Sequence, residues 1–216
     1  MEYRELVITE DGSASIYVPA LKEHYHSHFG AKQESQHIFI NSALAQLSKE
    51  SITILEYGFG TGLNALMTYD YAKANNKTIH YYGLEKYPLE KKEYSALNYD
   101  ANSTVFIALH QLEWEFEAKI DTHFYLKKVQ IDFRKFPIRP LFFDIVYFDA
   151  FAPDIQPHLW TITLFENIYA SMKPGGIFIT YTVKGIVRRL LKKVGFKVEK
   201  IAGPPGKREI TRAWKE

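Results

Sequence analysis

The residues from Ile52 to Asn64, read as ITILEYGFGTGLN, constrain the fold more than any other stretch of this chain. A run of β-branched and apolar residues ends on an acid, Glu56, and opens at once into Gly58, Gly60 and Gly62. That spacing predicts a buried strand, a tight turn and the first turn of a helix that carries Leu63, Leu66 and Met67. Such a unit lies at the ligand end of a nucleotide-type α/β sheet. Glycines there let the backbone reach positive φ and let a ligand approach with no Cβ in the way, and a helix N-terminus offers free N–H groups. A dinucleotide fingerprint needs G-x-G-x-x-G, and Leu63 stands where the third glycine would fall. The dinucleotide reading is therefore weakened; a glycine turn that holds no ligand stays open beside a ligand-binding one.

The rest of the chain supplies a sheet for that turn. Residues 1–20 alternate, with Leu6, Ile8, Ile16 and Val18 around Asp11-Gly12, and read as a β-hairpin outside the nucleotide fold. A helix is expected from about Glu34, carrying Ile38, Phe39 and Leu44. His24, His26 and His28 would share one face if they lay on a strand; a polar or substrate-facing rim explains them better than a metal clamp, and no metal site is expected. Thr78–Glu85 reads as a second strand, whose terminal acid could accept the ribose hydroxyls of an adenosine. A helix over Leu89–Leu97 and a helical insertion over about 99–120 follow. His123–Ile131 reads as a third strand, with Asp132 suited to accept an adenine amino group and Phe133 to pack on the ring. The dense run Phe142–Phe148 closes on Asp149, before a loop punctuated by Pro153 and Pro157. At the carboxyl end of a central strand, Asp149 should face the reacting group, although an aspartate capping a turn fits the same pattern. Helices over Trp160–Ala170 and Gly185–Val194 and strands over Gly175–Thr182, Phe196–Ile201 and Arg208–Trp214 complete the pattern. The expected architecture is α/β: a Rossmann-like seven-stranded sheet with a terminal antiparallel hairpin over 51–216, preceded by an extension over 1–50.

Composition narrows the chemistry. The 216 residues contain no cysteine, which removes disulfides, thiolate metal sites and every cysteine nucleophile from this chain. No apolar run approaches the ~18 residues of a membrane span, and the Met1–Glu5 start has no leader pattern, so a cytoplasmic protein is expected. Net charge is only +2, yet from Lys184 onward eleven Lys and Arg face three Glu, a tail of +8 against −6 elsewhere. A solvated helix face accounts for part of this; a polyanionic substrate is the sharper reading.

The pattern acid-x-G-x-G-x-G is that of S-adenosylmethionine-dependent (class I) methyltransferases. With it, GLEKYPL, FDAFAPDIQPHLWT, TYTVKGIVRRLLKKVGFKVE and PGKRE together resemble the methyltransferase half of the bacterial tRNA 5-methylaminomethyl-2-thiouridine biosynthesis (MnmC) family and its stand-alone, MnmD-like form. The resemblance covers about Glu34 to Arg212. It implies methylation, with S-adenosylmethionine, of the exocyclic amine of 5-aminomethyl-2-thiouridine at the tRNA wobble position. By the same resemblance Glu56, Gly58, Gly60, Gly62, Asn64, Glu85 and Asp132 fall on cofactor positions, and Asp149 on the acid before the F-A-P loop. The anticodon stem-loop is the expected partner, with Phe151 and Trp160 as candidates to stack on the base, and Arg188, Arg189, Lys207 and Arg208 to meet phosphates. The stand-alone form implies no oxidase domain, and hence another enzyme that supplies the aminomethyl group. Transfer to a small-molecule amine, of a methyl or aminopropyl group, and a non-catalytic cofactor-binding module are the alternatives.

Overall fold

The computed structural model describes residues 3–99 and 104–216. Three short strands, β1 (Glu5–Ile8), β2 (Ala14–Val18) and β3 (Glu23–His24), form a small antiparallel sheet, and the expected hairpin pairs Leu6 with Ile16 across its turn. Helix α1 (Ala31–Ser35) continues as one π-helical segment over Gln36–Asn41, three residues earlier than the pattern suggested. There follow β4 (Ser51–Tyr57), α2 (Leu63–Ala74), β5 (Thr78–Glu85), α3 (Lys91–Tyr94), α4 (Thr104–Gln111), β6 (Glu117–Lys119), β7 (Phe124–Gln130) and β8 (Phe143–Phe148). Helix α5 (Ile162–Ser171), β9 (Met172–Thr180), α6 (Gly185–Val194), β10 (Phe196–Ala202) and β11 (Glu209–Lys215) close the chain.

The main sheet runs β10-β11-β9-β8-β4-β5-β7-β6. Its five central strands are parallel, and β10, β11 and β6 are antiparallel to their neighbours. A parallel sheet must be covered on both faces, and β8 shows how these residues achieve it: all six are buried, and from Ile145 onward they alternate between two cores. Ile145 and Tyr147 join Ile54, Tyr81 and α2 on one face; Val146 and Phe148 join Leu55, Phe178 and the helices α5 and α6 on the other. The N-terminal extension belongs to the first core, because Ile16, Val18, Ile38 and Phe39 are buried in it.

The sheet has eight strands instead of seven. The helical insertion expected over 99–120 is confined, among the described residues, to α4, and the chain then turns at Glu115 (φ 71°) and returns as β6 along the edge of β7. A buried lysine directs this turn: the Lys128 ammonium donates to the His110 carbonyl at 2.6 Å and lies 4.7 Å over the Trp114 ring, so Trp114, within the expected helical insertion, instead covers a cation. The expected helix over Leu89–Leu97 shrinks to the single turn of α3. Strand order reverses at the β4/β8 boundary. A crevice opens at the carboxyl ends of strands at such a switch point, which is where Glu56, Glu85 and Asp149 lie.

Candidate cofactor and active site

The strand β4 ends in the buried residues Glu56 and Tyr57, and the glycine turn that follows lines the crevice. Gly58 adopts φ 101°, and a Cβ there would lie 2.7 Å from the Asp149 carbonyl oxygen. Only glycine fits between these two loops. The turn is bonded to the next strand: the N–H groups of Gly58 and Phe59 donate to the Leu84 carbonyl at 3.1 and 2.9 Å, and Gly60 N–H donates to the Glu85 carboxylate at 3.0 Å. The other Glu85 oxygen accepts the Tyr87 N–H at 2.8 Å, which fixes this acid at the rim. Gly62, with no side chain to cap the helix, leads into α2. A cavity of about 500 Å³ opens beside these groups, a volume typical of small-molecule sites.

At its floor one amide holds two acids. The Asn64 side-chain N–H groups donate to Glu56 Oε1 at 2.9 Å and to Asp149 Oδ2 at 3.0 Å. Glu56 is fully buried, its Oε2 has no partner in hydrogen-bonding geometry, and the neighbouring Tyr81 hydroxyl favours its charged form. Burial pushes the Glu56 carboxyl up to about 8, with Asn64 opposing and Asp149 adding repulsion. Asp149 is half-buried, exposed only toward the cavity, and surrounded by protein. Burial, then repulsion from Glu34, raises it to about 7, against the Asn64 bond and the Lys207 charge.

The other expected site residues separate into two groups. Asp132 and Phe133 line the cavity, but Asp132 is gripped by Arg134 through two bonds of 2.9 and 2.7 Å and by Lys86 at 3.3 Å, which hold its carboxyl far below the usual range. Phe133 is buried edge-on against Tyr57. Phe151 stands at the cavity, edge-to-face with Tyr25 at 5.4 Å. Trp160, expected to be available for stacking, is buried instead against Phe148 at 4.8 Å. Its indole N–H donates to the Phe151 carbonyl at 2.9 Å, so it supports the loop from behind. Arg189 and Arg208 are exposed, and Arg188 is half-buried against the Val183 carbonyl. Lys207, expected on a phosphate-facing surface, turns inward to pair with Glu34. The three histidines do not share a strand face, because β3 ends at His24. His26 turns inward onto Ser15 Oγ at 2.9 Å, with burial lowering it to about 4, while His24 and His28 meet edge-on at 4.1 Å. Sequence reasoning missed Tyr25, Glu34 and Tyr181 as cavity residues: the first two come from a segment with no site motif, and Tyr181 sits inside the TYTVKG stretch, to which no role for it was attached.

The family described as S-adenosyl-L-methionine-dependent methyltransferase matches residues 75–216. The chain belongs to that family. The match lies wholly beyond the glycine turn, so the turn is an independent sign of the same cofactor. The methyltransferase is 34% identical over 200 residues to the tRNA 5-methylaminomethyl-2-thiouridine biosynthesis bifunctional protein MnmC of Marinomonas sp., covering 83% of this chain and 29% of that protein. It is 28% identical to the protein of the same name from Burkholderia multivorans, over 95% of this chain and 34% of the relative. The chain thus spans about a third of the curated relatives it matches. The crystal structure of MNMC2 from Aquifex aeolicus superposes with a TM-score of 0.85 at 26% identity, covering all of this chain and 71% of that one. The methyltransferase has no helix, among its described residues, long and apolar enough to cross a membrane.

The two raised acids give a stability signature. In the folded protein Glu56 and Asp149 keep protons that the unfolded chain releases near 4.5 and 3.8, so stability is fullest below those values and is lost as pH rises through about 7 and 8. Glu56→Gln removes one of these groups, keeping an acceptor for Asn64. Between pH 5 and 8.5 the melting temperature of the variant should fall less than that of the parent, by on the order of 10 °C, a few kcal/mol for a chain of this size. Parallel pH dependence in both proteins would show that Glu56 is not held protonated.

Proposed function

We propose that this chain transfers the methyl group of S-adenosylmethionine to the exocyclic amine of 5-aminomethyl-2-thiouridine at the wobble position of tRNA, giving 5-methylaminomethyl-2-thiouridine. The observation that carries this reading is Asp149: a carboxylate raised to about 7, aimed by Asn64 into a cavity whose opposite rim is the fixed Glu85 acid. The names of the curated relatives and of the similar crystal structure support the substrate, and weigh against a small-molecule amine or a non-catalytic module.

The residues fit the cofactor. The Gly58–Gly62 turn leaves room for its amino-acid end, Glu85 faces the cavity as the acceptor for ribose hydroxyls, and Phe133 offers an apolar wall to the adenine. Asp132 is already saturated by Arg134 and Lys86, so we assign it the shape of the adenine end rather than a strong bond there. When bound, S-adenosylmethionine supplies an electrophilic methyl group.

The chain's own residues prepare the nucleophile. An alkyl amine has an unperturbed pKa near ~10, so only about one molecule in a thousand is neutral at pH 7. A carboxylate titrating near neutrality can hold the amine in line and receive its proton, which an ordinary exposed aspartate would do far less well. The wobble base sits in a single-stranded loop and can be splayed out at modest cost, with Phe151 and its partner Tyr25 as the stacking surface. Arg188, Arg189 and Arg208 would meet anticodon-stem phosphates, contributing affinity rather than base choice. Among the described residues no ion pair engages Arg189, Lys192, Lys193 or Arg208, which leaves the outer face of α6 and the β10–β11 turn positive. Such a substrate puts the reaction in the cytoplasm and requires an activity outside these residues to make the aminomethyl group.

Purified protein, S-adenosylmethionine and tRNA bearing 5-aminomethyl-2-thiouridine should yield the methylated nucleoside by mass spectrometry. The affinity for tRNA should fall steeply with salt, and Arg189→Glu should lessen that slope by about 1. Methylation of a small alkyl amine but not of this tRNA would sink the substrate assignment.

A further inference from the structure

Three segments distant in sequence meet on the cavity wall beside Asp149: Glu34 from α1, Tyr181 just beyond β9, and Lys207 in the turn between β10 and β11. The Lys207 ammonium is paired with Glu34 Oε1 and lies 4.5 Å over the Tyr181 ring. Each of its partners is itself fixed. Glu34 Oε2 accepts the Ser27 N–H at 2.7 Å, and the Tyr181 hydroxyl donates to the Ala150 carbonyl at 3.0 Å, one residue from the acid at the cavity floor. Only 10% of the Glu34 side chain and 28% of that of Lys207 remain exposed, and both residues line the cavity. Glu34 and Lys207 also act electrostatically on Asp149, so all three charges lie within reach of one another.

A carboxylate, an aromatic face and a second carboxylate nearby are the features that bind a primary alkylammonium. The chain's own lysine presents that group here. An aminomethyl acceptor carries the same headgroup, a charged nitrogen on a saturated carbon.

We propose that Glu34 and the face of Tyr181 form the docking position for the acceptor's ammonium, and that Lys207 occupies this position until the acceptor displaces it. The inference rests on the amine acceptor of the preceding section. Exchange of one ammonium for another keeps Glu34 paired while the acceptor docks, which avoids the large cost of an uncompensated buried charge at that step. The docked ammonium then gives one proton to Asp149, leaving a neutral amine and a protonated carboxyl. The displaced Lys207 becomes free, beside exposed Arg208, to meet the acceptor's phosphates. One residue thereby excludes small cations from the empty site and rewards a polyanionic acceptor.

The test uses propylammonium as probe and needs no turnover. Calorimetric or NMR titration should find it binding the parent protein weakly and Lys207→Met at least tenfold more tightly, because methionine keeps the apolar cover on Tyr181 and leaves Glu34 without its partner. Adding Glu34→Gln to that variant should abolish the gain, and Glu34→Gln alone should raise KM for tRNA more than it lowers kcat. Lys207→Gln serves as a second variant, with thermal melts confirming that each protein is folded. Equal propylammonium affinity in the parent and in the folded Lys207 variants overturns the placeholder role. A gain that survives Glu34→Gln overturns the docking site. Should the parent methylate tRNA while these titrations show no difference, this inference fails alone; should it methylate no aminomethyl tRNA, the proposed function fails irrespective of the titrations.

Discussion

Asp149→Ala should lower kcat by a factor on the order of a hundred or more while leaving cofactor affinity nearly unchanged. General base catalysis by a positioned side chain is worth about 10²–10⁴-fold, and this carboxylate is positioned by the Asn64 amide at 3.0 Å and by its own N–H, which donates to the Tyr57 carbonyl at 2.9 Å. The pH profile should carry the same information. With Asp149 raised to about 7, activity in the parent should climb as pH rises through that value, since the ionised form accepts the proton. The limb near 7 should disappear in the alanine variant, leaving the slower rise from the amine's own ionisation. Asp149→Asn keeps the shape and loses the proton acceptor, so it should resemble alanine in rate and the parent in stability. Parent-like turnover in either variant would move the proton-accepting role to another group.

The second large effect is on cofactor binding. Glu85→Ala should weaken S-adenosylmethionine by on the order of a hundredfold or more, because two hydroxyl bonds to a charged acceptor, each worth about 1.5–3 kcal/mol, are lost together. The loss is compounded locally: the same carboxylate accepts the N–H groups of Gly60 at 3.0 Å and Tyr87 at 2.8 Å, so its removal also loosens the glycine turn from the end of β5. Glu85→Gln separates the two contributions, since an amide still offers one acceptor to the turn. Calorimetry on both variants, with melting curves to establish folding, gives the comparison. Undiminished affinity in Glu85→Ala would remove the ribose role, and tight binding of NADH with none of S-adenosylmethionine by the parent would contradict the cofactor fit.

Much of this protein is legible in the chain because local chemistry agrees with the tertiary fold. The run ITILEY is β-branched and apolar on both faces, so it can be stable only as a central strand covered on both sides, and β4 is that strand. Gly58, at φ 101° against the Asp149 carbonyl, and Gly195, closing α6 at φ 115°, stand where no other residue would be comfortable, which is why both turns could be placed in advance. The clusters at 99–120 misled for an equally local reason: Phe106 and Trp114 are spaced as a helix face would be, but Trp114 lies beyond the end of α4, over a lysine contributed by β7.

The sequence by itself determined the order of strands and helices apart from the short β3 and β6, the glycine turn and the acids at the carboxyl ends of β4, β5 and β8, because periodicity, turn residues and strand ends are properties of neighbouring residues. It could not determine which of those acids would be charged. Glu56 and Asp149 rise while Asp132 falls, although all three stand at strand ends, and the difference is made by the depth of burial around the first two, which outweighs the Asn64 bonds, and by Arg134 and Lys86 beside the third. Nor could it reveal that Glu34 and Lys207, 173 positions apart, would share one wall of the cavity, or that Trp160 would be sealed behind Phe151. A pKa and a cavity wall both depend on what lies within a few ångströms in space, and only the folding of the N-terminal extension and the C-terminal hairpin against the same sheet decides that.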